Sequence, residues 1–322
     1  MLSINKRAME IVRKIINQAD VLGVEVHRTE SGATVIDMGV NCTGGWRAAT
    51  LFCEATLGGL GQVNYSTFDL DGIELPQVEM YIDKPSIALL GSQISGWPLN
   101  NFKNADGVVP LISGPVRAVV DPDMFGKAVS YRDKNADEVV VGLQDNRLPS
   151  EDIIKSIVDK TKRPAEKIYI LVAATASLVG SINVVSRTLE TAIWRVHDLG
   201  LDVNEIVAAW GKAPVPPMSD DEFTAMVRTN TYTYYGGTAS FILRSEDNKI
   251  KEILKKFPLA PYTCDYYGIP FRKLLEQAGG DIFALEGFVH NVTKAIINNV
   301  SSGSIFAVGA VDKKMLLGCL DN

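Results

Sequence analysis

Apolar and polar residues follow two different periods along the chain, and the period of each stretch predicts the local structure. Apolar side chains recur every three or four residues over residues 3–18, with Ser3 placed to cap a helix. Alternation at every second residue predicts two strands, 24–29 and 33–38, which are joined by a turn at Gly32. Helical patterns recur further along the chain, and they predict helices at residues 46–57, 149–162, 203–209 and 245–257.

Strand patterns are spread over the whole chain. Residues 66–81 read as a hairpin around Asp71-Gly72, a dipeptide that favours tight turns. Short apolar runs predict strands at 87–90, 108–112, 137–144 and 168–172, and the last forty residues read as strands with turns at Ser302-Gly303 and Asp312-Lys313. Strands and helices alternate loosely, with antiparallel hairpins at both ends, and this order predicts a mixed α/β fold.

One stretch, residues 168–197, joins a strand to a helix that carries polar side chains on one face. At about 100° per residue, Arg187, Glu190, Trp194 and His197 share a face of that helix. Apolar residues fill the opposite face. The pattern alone favours an ordinary solvent-exposed ion pair between positions i and i+3, worth about 0.2 to 0.5 kcal/mol. The tryptophan on the same face fits that interpretation poorly, so we also consider that this face lines a pocket.

Two short strands end in loops rich in glycine and serine, within thirty residues of each other. The first loop is GSQISGWP, which contains Ser92, Gln93 and Trp97, and the second is SGPVRA, which contains Arg117. Ligands are often held at such strand ends in α/β proteins, so one shared cleft and two ordinary tight turns are equally good interpretations. The glycine-rich segment 39–63 has no nucleotide-binding fingerprint and favours tight packing.

Composition excludes several classes of protein. The chain has 322 residues, enough for two lobes, and three prolines between Ala213 and Met218 could form the passage between them. A net charge of −6 argues against a nucleic-acid-binding protein. The four cysteines and three histidines lack metal-ligand spacing, so we expect free thiols and no metal site. Neither a signal-peptide core nor a membrane span is expected, because the uncharged run 168–186 contains several polar residues; this favours a soluble, cytoplasmic protein.

Several motifs occur in one order along the chain, and together they resemble a known family. They are GVNCTGGWRAATLFCEATLGGLG, LLGSQISGW, ISGPVRA, LVAATASLVGSINVVSRTLETAI, GKAPVPP, RTNTYTYYGG and YYGIPF. The ordered set is similar to methenyltetrahydromethanopterin cyclohydrolase of archaea and methylotrophs, over residues 2–271. No single motif would identify the family, but their order is specific.

The resemblance implies a fold, an activity and a catalytic pair. The family has an α/β fold with two lobes around a deep pocket, so one cyclohydrolase unit spanning residues 1–322, with intertwined lobes, is expected here. The family hydrolyses methenyltetrahydromethanopterin reversibly to the formyl compound in one-carbon metabolism, including methanogenesis and methane oxidation. It does so as a homotrimer, without a metal or other cofactor. By position in SRTLETAI, Glu190 becomes the catalytic carboxylate and Arg187 its partner.

The same resemblance suggests which residues contact the substrate. The substrate has an anionic tail and a flat pterin, which call for basic groups, hydrogen-bonding groups and an aromatic surface. The candidates are Ser92, Gln93, Trp97, Arg117, Arg228, Asn230 and Tyr235. His197 is interpreted as structural rather than as a proton relay.

The chain departs from the family pattern at several positions outside the catalytic pair. Ala174 replaces a usual proline, Ser186 a glycine and Thr231 a frequent aspartate, and EGFVHNV replaces the usual segment near the C-terminus. The departures leave the exact pterin open. Two alternatives therefore stand beside the expected activity: a related cyclohydrolase acting on another pterin or a folate, and a pterin-binding protein without catalysis.

The proposed chemistry suits a buried glutamate. The substrate's amidinium carbon is already electrophilic, and a carboxylate that removes a proton from water contributes typically ~10² to 10⁴ in rate. Burial near Trp194 favours the protonated carboxyl, whereas Arg187 and the cationic substrate favour the carboxylate. The sequence leaves open which effect is larger.

Overall fold

The computed structural model describes residues 2–104, 108–279, 284–285 and 288–320. Two residues of the unusual EGFVHNV segment, 286 and 287, lie outside the described residues. The chain divides into two compact units whose segments interleave. Unit 1 comprises residues 1–62, 87–183 and 218–222, and unit 2 comprises residues 63–86, 184–217 and 223–322.

Unit 1 is built on a six-stranded mixed sheet. Its strands are β1 (Glu25–Arg28), β2 (Thr34–Gly39), β5 (Trp97–Pro98), β6 (Leu111–Ser113), β7 (Val139–Gln144) and β8 (Ile168–Ala173), and their spatial order is β1-β2-β8-β7-β6-β5. β2, β8 and β7 run parallel, while β1, β6 and β5 pair antiparallel to their neighbours. The apolar runs of β7 and β8 are nearly fully buried, as expected for central parallel strands.

Helices cover both faces of this sheet. The helices of unit 1 are α1 (Ile4–Asn17), α2 (Ala19–Leu22), α3 (Trp46–Thr56), α4 (Met124–Lys127) and α5 (Glu151–Thr161), followed by α6 (Leu178–Val185), whose last two residues belong to unit 2. Ile153, Ile154 and Ile157 of α5 pack with the alternating residues Val139 and Val141 of β7. Gly142 faces Thr56 of α3 instead, so α3 lies on the other face. The Ser3 hydroxyl accepts a hydrogen bond from the Lys6 amide, which confirms the predicted helix cap.

Unit 2 contains the second six-stranded sheet. Its strands are β3 (Gly61–Leu70), β4 (Ile73–Asp83), β9 (Ile206–Pro214), β10 (Thr238–Leu243), β11 (Lys294–Asn299) and β12 (Ser304–Gly309), in the spatial order β12-β11-β10-β9-β4-β3. β10 and β11 run parallel, whereas β12-β11, β10-β9 and β9-β4 pair antiparallel. Asp71 and Gly72 both adopt positive φ between β3 and β4, which confirms the predicted hairpin turn.

The helices of unit 2 are α7 (Thr188–Asp198), most of α8 (Glu222–Gly236), α9 (Asp247–Leu254), α10 (Phe271–Gln277) and α11 (Lys313–Gly318). α7 packs against β9 and β10. Aromatic residues of α8 and α10 meet Phe288 in an apolar core, where the Phe271 and Phe288 rings stack at 6.1 Å. No helix among the described residues has the length and apolar character needed to cross a membrane.

The mixed α/β fold class predicted from the sequence is confirmed, but several element predictions were wrong. Residues 203–209 were expected to be helical; they form a 3-10 turn and then β9, because the β-branched Ile206 and Val207 begin a strand that pairs on both sides. The run 87–90 lies in a π-helix, Ser86–Gln93, instead of a strand. Short apolar runs do not distinguish the two structures. The expected turn at Asp312 is the cap of α11, whose Met315 amide donates to the Asp312 carboxylate.

Candidate active site

The candidate catalytic pair lies at the start of α7. Arg187 is the residue before the helix and Glu190 lies in its first turn. The apolar face of α7, with Leu189, Ile193 and Val196 fully buried, packs against β9 and β10. Because helix geometry fixes the opposite face, Arg187 and Glu190 are held together on the side away from the sheet.

A glycine in β9 lets α7 approach the sheet closely. A Cβ atom at Gly211 would lie 2.7 Å from Cγ of Leu189 and 3.0 Å from the carbonyl oxygen of Thr238. Side chains do not tolerate contacts that short in a packed interior, so any larger residue would push the helix away. Gly211 therefore sets the height of the Arg187–Glu190 pair above the sheet.

The two side chains form a buried ion pair. Nη1 of Arg187 donates to both carboxylate oxygens of Glu190, at 3.2 Å to Oε1 and 3.3 Å to Oε2. The Arg187 side chain is 10% exposed and the Glu190 side chain 6% exposed. The interpretation of an ordinary pair in solvent is therefore wrong for these residues, since a surface pair at this spacing would be largely exposed.

Two features of the structure favour the ionised form of Glu190 in spite of its burial. The guanidinium supplies a positive charge and hydrogen bonds to both oxygens. The first turn of a helix also carries the positive end of the helix dipole, and Glu190 is the acidic residue of that turn. A carboxylate held in this way can accept a proton from a water molecule that attacks a neighbouring carbon.

A tyrosine that the sequence analysis missed lies near this pair. Tyr234 on α8 is fully buried, and its pKa is raised first by burial and then by the charge of Glu190. Its hydroxyl donates to Oδ1 of Asn230 at 3.1 Å, and Nδ2 of Asn230 donates to the Met226 carbonyl at 2.8 Å. The i, i+4 spacing of Asn230 and Tyr234 fits one face of a helix, but the sequence analysis predicted no helix for this segment.

Trp194 and His197 continue the same face of α7. Their ring centroids lie 5.1 Å apart at an angle of 42°. Both side chains are half-buried, and the predicted shared face is confirmed. The contact is a packing contact between rings, which fits the structural interpretation of His197.

The other two candidates in unit 2 have partners within the protein. Nη1 of Arg228 donates to the carbonyl of Pro217 at 3.2 Å. The hydroxyl of Tyr235 accepts a hydrogen bond from the Gly268 amide at 3.0 Å, and its ring contacts Tyr267 and Phe288. Burial raises the pKa of Tyr235 to about 12. These contacts describe structural anchors, and a role for either residue in substrate binding stays a prediction.

The two glycine- and serine-containing loops of unit 1 lie side by side. The Gly114 amide donates to the Ser92 carbonyl at 2.8 Å, and the Ser92 hydroxyl donates to the Thr56 carbonyl at 2.6 Å. Arg117, only 4% exposed, donates from Nη1 to the Leu90 carbonyl at 2.8 Å and from Nη2 to Asp123 at 2.5 Å. The structure thus joins the two loops through internal hydrogen bonds.

The remaining candidates of unit 1 are also buried. Trp97 pairs with Ile112 between β5 and β6, and the Lys160 ammonium lies 4.0 Å from the centre of its ring. Burial lowers the pKa of Lys160, and the charge of Arg117 lowers it further although Asp123 opposes the shift. Gln93, in the π-helix, is fully buried. The Lys160–Trp97 contact had no signal in the sequence, because 63 residues separate the two positions.

A second acidic residue that the sequence analysis missed orders the loop after β8. The Glu222 carboxylate accepts hydrogen bonds from the amides of Thr175 at 2.9 Å and Ala176 at 2.8 Å. Burial raises the pKa of Glu222, while these two amides lower it. The loop belongs to the stretch that leads into α6, so Glu222 fixes the backbone of one of the motifs that carry the resemblance.

The chain is similar to known proteins over nearly its whole length. A family model described as Cyclohydrolase (MCH) matches residues 3–320. The chain is similar to methenyltetrahydromethanopterin cyclohydrolase of Methanospirillum hungatei, with 33% identity over 318 residues that cover 98% of each chain. The enzymes of that name from Methanocaldococcus jannaschii and Methanothermobacter thermautotrophicus are each 34% identical to it, over 98% of this chain and 97% and 98% of their own lengths.

Proposed function

We propose that this chain, which belongs to the Cyclohydrolase (MCH) family, reversibly hydrolyses methenyltetrahydromethanopterin to formyltetrahydromethanopterin. The observation that supports it in the structure is the buried Arg187–Glu190 pair at the start of α7. Burying two charges costs several kcal/mol per ion before their attraction is counted, and buried ionisable groups with specific charge partners cluster at functional sites. A carboxylate held in this way can take a proton from water.

The reaction proceeds in two steps in this proposal. A water oxygen attacks the amidinium carbon, and Glu190 takes one proton from the water as the C–O bond forms. One C–N bond of the resulting adduct then breaks as its nitrogen accepts a proton from Glu190, and the hydroxyl on carbon loses its proton to give the formyl group. The net reaction consumes one water and releases one proton.

Arg187 keeps Glu190 ionised and oriented for the first step. It is a positioning residue in this scheme, since the proton moves between water, Glu190 and the substrate nitrogen. We propose that no metal or other cofactor takes part, because the substrate carbon is cationic before water attacks. Ser92, Gln93, Trp97, Arg117, Arg228, Asn230 and Tyr235 remain predicted substrate contacts; those whose polar groups hydrogen-bond within the protein would act mainly by shaping the binding surface.

A spectrophotometric assay tests the proposal. Purified protein should remove the absorbance of methenyltetrahydromethanopterin and leave the methenyl derivative of tetrahydrofolate unchanged. Glu190→Gln should lower turnover by about 10²-fold or more with little change in substrate binding. Near-normal turnover of that variant would overturn the role of Glu190. Tight binding without hydrolysis by the wild type would indicate a pterin-binding protein, and hydrolysis of the folate would indicate a different cyclohydrolase.

The chain offers a matched control for this substitution. Glu252 forms an ion pair with Lys255 at 2.6 Å in the same i, i+3 spacing, but both side chains are about two-thirds exposed. Glu252→Gln removes the same charge from a helix in solvent, and we expect unchanged turnover. Equal losses in both variants would show that the assay reports general charge effects instead of catalysis.

We also propose that the enzyme is a homotrimer located in the cytoplasm, as the family resemblance implies. Light scattering coupled to size-exclusion chromatography tests the assembly. A mass of three chains, each 35.0 kDa, is expected. A monomeric mass at assay concentration, with full activity, would contradict the trimer.

A further inference from the structure

Unit 2 contains a cavity that is separate from the residues of the catalytic pair. Its volume is about 190 Å³, and residues of α8, α10 and α11 line it together with Pro270. An apolar protein cavity of about 150 Å³ accommodates a benzene ring. The space described here therefore has room for one aromatic ring with a short substituent.

The inner end of the cavity is apolar. Val227 and Phe271 are almost completely buried, and Met315 contributes a polarisable sulfur to the lining. The hydroxyl of Thr231 donates to the Val227 carbonyl at 2.7 Å, so it is satisfied within α8. Burial raises the pKa of the Cys319 thiol, which keeps it neutral at physiological pH. Such a lining favours an aromatic group over a polar one.

The outer end of the cavity is cationic. Lys314 and Gly318 are exposed, and Arg272 is half-buried beside them. Within the part of the chain that the structure describes, neither Lys314 nor Arg272 forms an ion pair; Arg272 donates to the Thr224 hydroxyl at 3.2 Å and lies over the Phe223 ring. In contrast, the neighbouring Lys313 pairs with Asp69 at 3.1 Å and Asp71 at 3.2 Å.

We propose that this cavity binds a small aromatic monocarboxylate. The ring occupies the apolar end among Val227, Phe271 and Met315, and the carboxylate lies at the outer end near Lys314 and Arg272. Size selects a single ring, and the two cations select an anion over a neutral compound of the same shape. The site is independent of the proposed hydrolysis, so it can fail or hold without affecting that proposal.

Fluorine NMR titration with 4-fluorophenylacetate tests the site on the full-length protein. For eleven non-hydrogen atoms we expect a dissociation constant on the order of 1 mM. The neutral 4-fluorophenylacetamide has almost the same shape and should bind about threefold to tenfold more weakly. Equal binding of the acid and the amide, or no saturation of the acid up to about 20 mM, would overturn the proposal.

Three variants locate the binding. Lys314→Met should weaken binding of the acid about threefold, whereas Lys313→Met removes the same charge next to the cavity and should change it little. Gly318→Leu should weaken binding, because Gly318 lines the cavity and a Cβ there meets no other atom within 4 Å, so the larger side chain can be added without disturbing α11. Equal effects of the two lysine variants would indicate non-specific attraction and reject the site.

A labelling measurement does not depend on these variants. Cys319 lines the cavity, whereas Cys264 does not. Saturating 4-fluorophenylacetate should slow alkylation of Cys319 by N-ethylmaleimide at least threefold, as read by peptide mass spectrometry, and leave Cys264 unchanged. Unchanged labelling of Cys319 would contradict binding in this cavity even if the ligand binds elsewhere.

Discussion

Each unit contains an ion pair between a buried arginine and a carboxylate a few residues further along the chain, and the two pairs differ in how they are held. Arg117 and Asp123 of unit 1 meet at 2.5 Å, and their side chains are 3% and 30% exposed. Arg187 and Glu190 of unit 2 meet at 3.2 Å with both side chains buried. Charge-assisted hydrogen bonds are usually about 2.7 to 2.9 Å long, so the second pair is the weaker contact.

The partners of each pair account for the difference. Arg117 also binds the carbonyl of Leu90, and the second oxygen of Asp123 accepts from the Gly126 amide to cap α4. This pair joins three segments of backbone, which is a structural task. Glu190 instead takes two long bonds from a single guanidinium nitrogen at the first turn of a helix. A carboxylate that is charged and oriented by long bonds from a side chain suits a proton acceptor.

Asp123→Asn tests whether the Arg117–Asp123 pair has a structural role. Removing the charge leaves the buried Arg117 guanidinium without its partner, and we expect the free energy of unfolding to fall by about 2 to 3 kcal/mol. Urea unfolding measures this, and turnover of the folded variant should stay within twofold of wild type. Glu190→Gln should also lose some stability, because the buried Arg187 loses its carboxylate, but its main effect should be a loss of turnover of about 10²-fold or more. If both variants lose mainly stability, the distinction between the pairs is wrong.

The sequence predicted the elements whose patterns are local. The cap at Ser3, the Asp71-Gly72 turn and the shared face of α7 depend on spacing within a few residues, and each was confirmed. β9 was missed because its strand character depends on pairing with β4 and β10, which are remote in sequence. The π-helix at residues 86–93 was missed because an apolar run has no period to distinguish helix from strand.

In the candidate site, too, local spacing was predictable from the sequence and tertiary packing was not. The Arg187–Glu190 spacing was visible in the sequence, but the burial that excludes an exposed pair depends on how α7 packs against β9 and β10. Tyr234 comes near Glu190 through tertiary packing, and Glu222 reaches the amides of Thr175 and Ala176 across 46 residues of chain. Neither contact leaves a local pattern that could have been read beforehand.

Gly211→Ala tests whether the position of α7 matters for the catalytic pair. The added Cβ would press on Leu189, so we expect a loss of about 1 to 2 kcal/mol in stability and a severalfold loss of turnover as the helix moves. The melting temperature and the turnover number measure the two effects. Gly45→Ala is the control, since a Cβ there meets nothing within 4 Å. Normal turnover in Gly211→Ala would show that the site tolerates displacement of α7.

The pH dependence of stability should report on His290, which lies near Asp198 at the C-terminal end of α7. Burial lowers the pKa of His290 from 6.5 to about 4, although the charge of Asp198, the last residue of α7, opposes the shift. The unfolded chain therefore binds a proton that the folded chain rejects between about pH 6.5 and 4. Above about pH 6.5 His290 is neutral in both states, and the free energy of unfolding is not reduced by its titration. As the pH falls further, protonation of His290 in the unfolded chain lowers the free energy of unfolding, by on the order of 2 kcal/mol at pH 4.5.

His290→Asn isolates this contribution. His290 has a φ of 67°, and asparagine tolerates that conformation better than most residues. Urea unfolding at pH 7 and pH 4.5 should show a smaller loss of stability in the variant than in the wild type. Equal losses would mean that carboxylates elsewhere account for the acid sensitivity, and that His290 is readily protonated in the folded protein.

Arg187→Lys tests whether the Arg187 guanidinium orients Glu190. Lysine keeps the positive charge, but its flexible ammonium lacks the rigid plane that holds a single nitrogen, Nη1, against both oxygens of Glu190. If charge alone matters, turnover should be unchanged; if orientation matters, we expect turnover to fall about tenfold, equivalent to about 1.4 kcal/mol, with KM nearly constant. Arg195→Lys on the same helix, where Arg195 pairs with the exposed Asp198, is the control. A tenfold loss of turnover in Arg187→Lys, with unchanged turnover in Arg195→Lys, would show that the contact of Arg187 with both oxygens of Glu190 serves catalysis. The control pair has the same i, i+3 spacing, so replacing arginine by lysine would not by itself explain the loss.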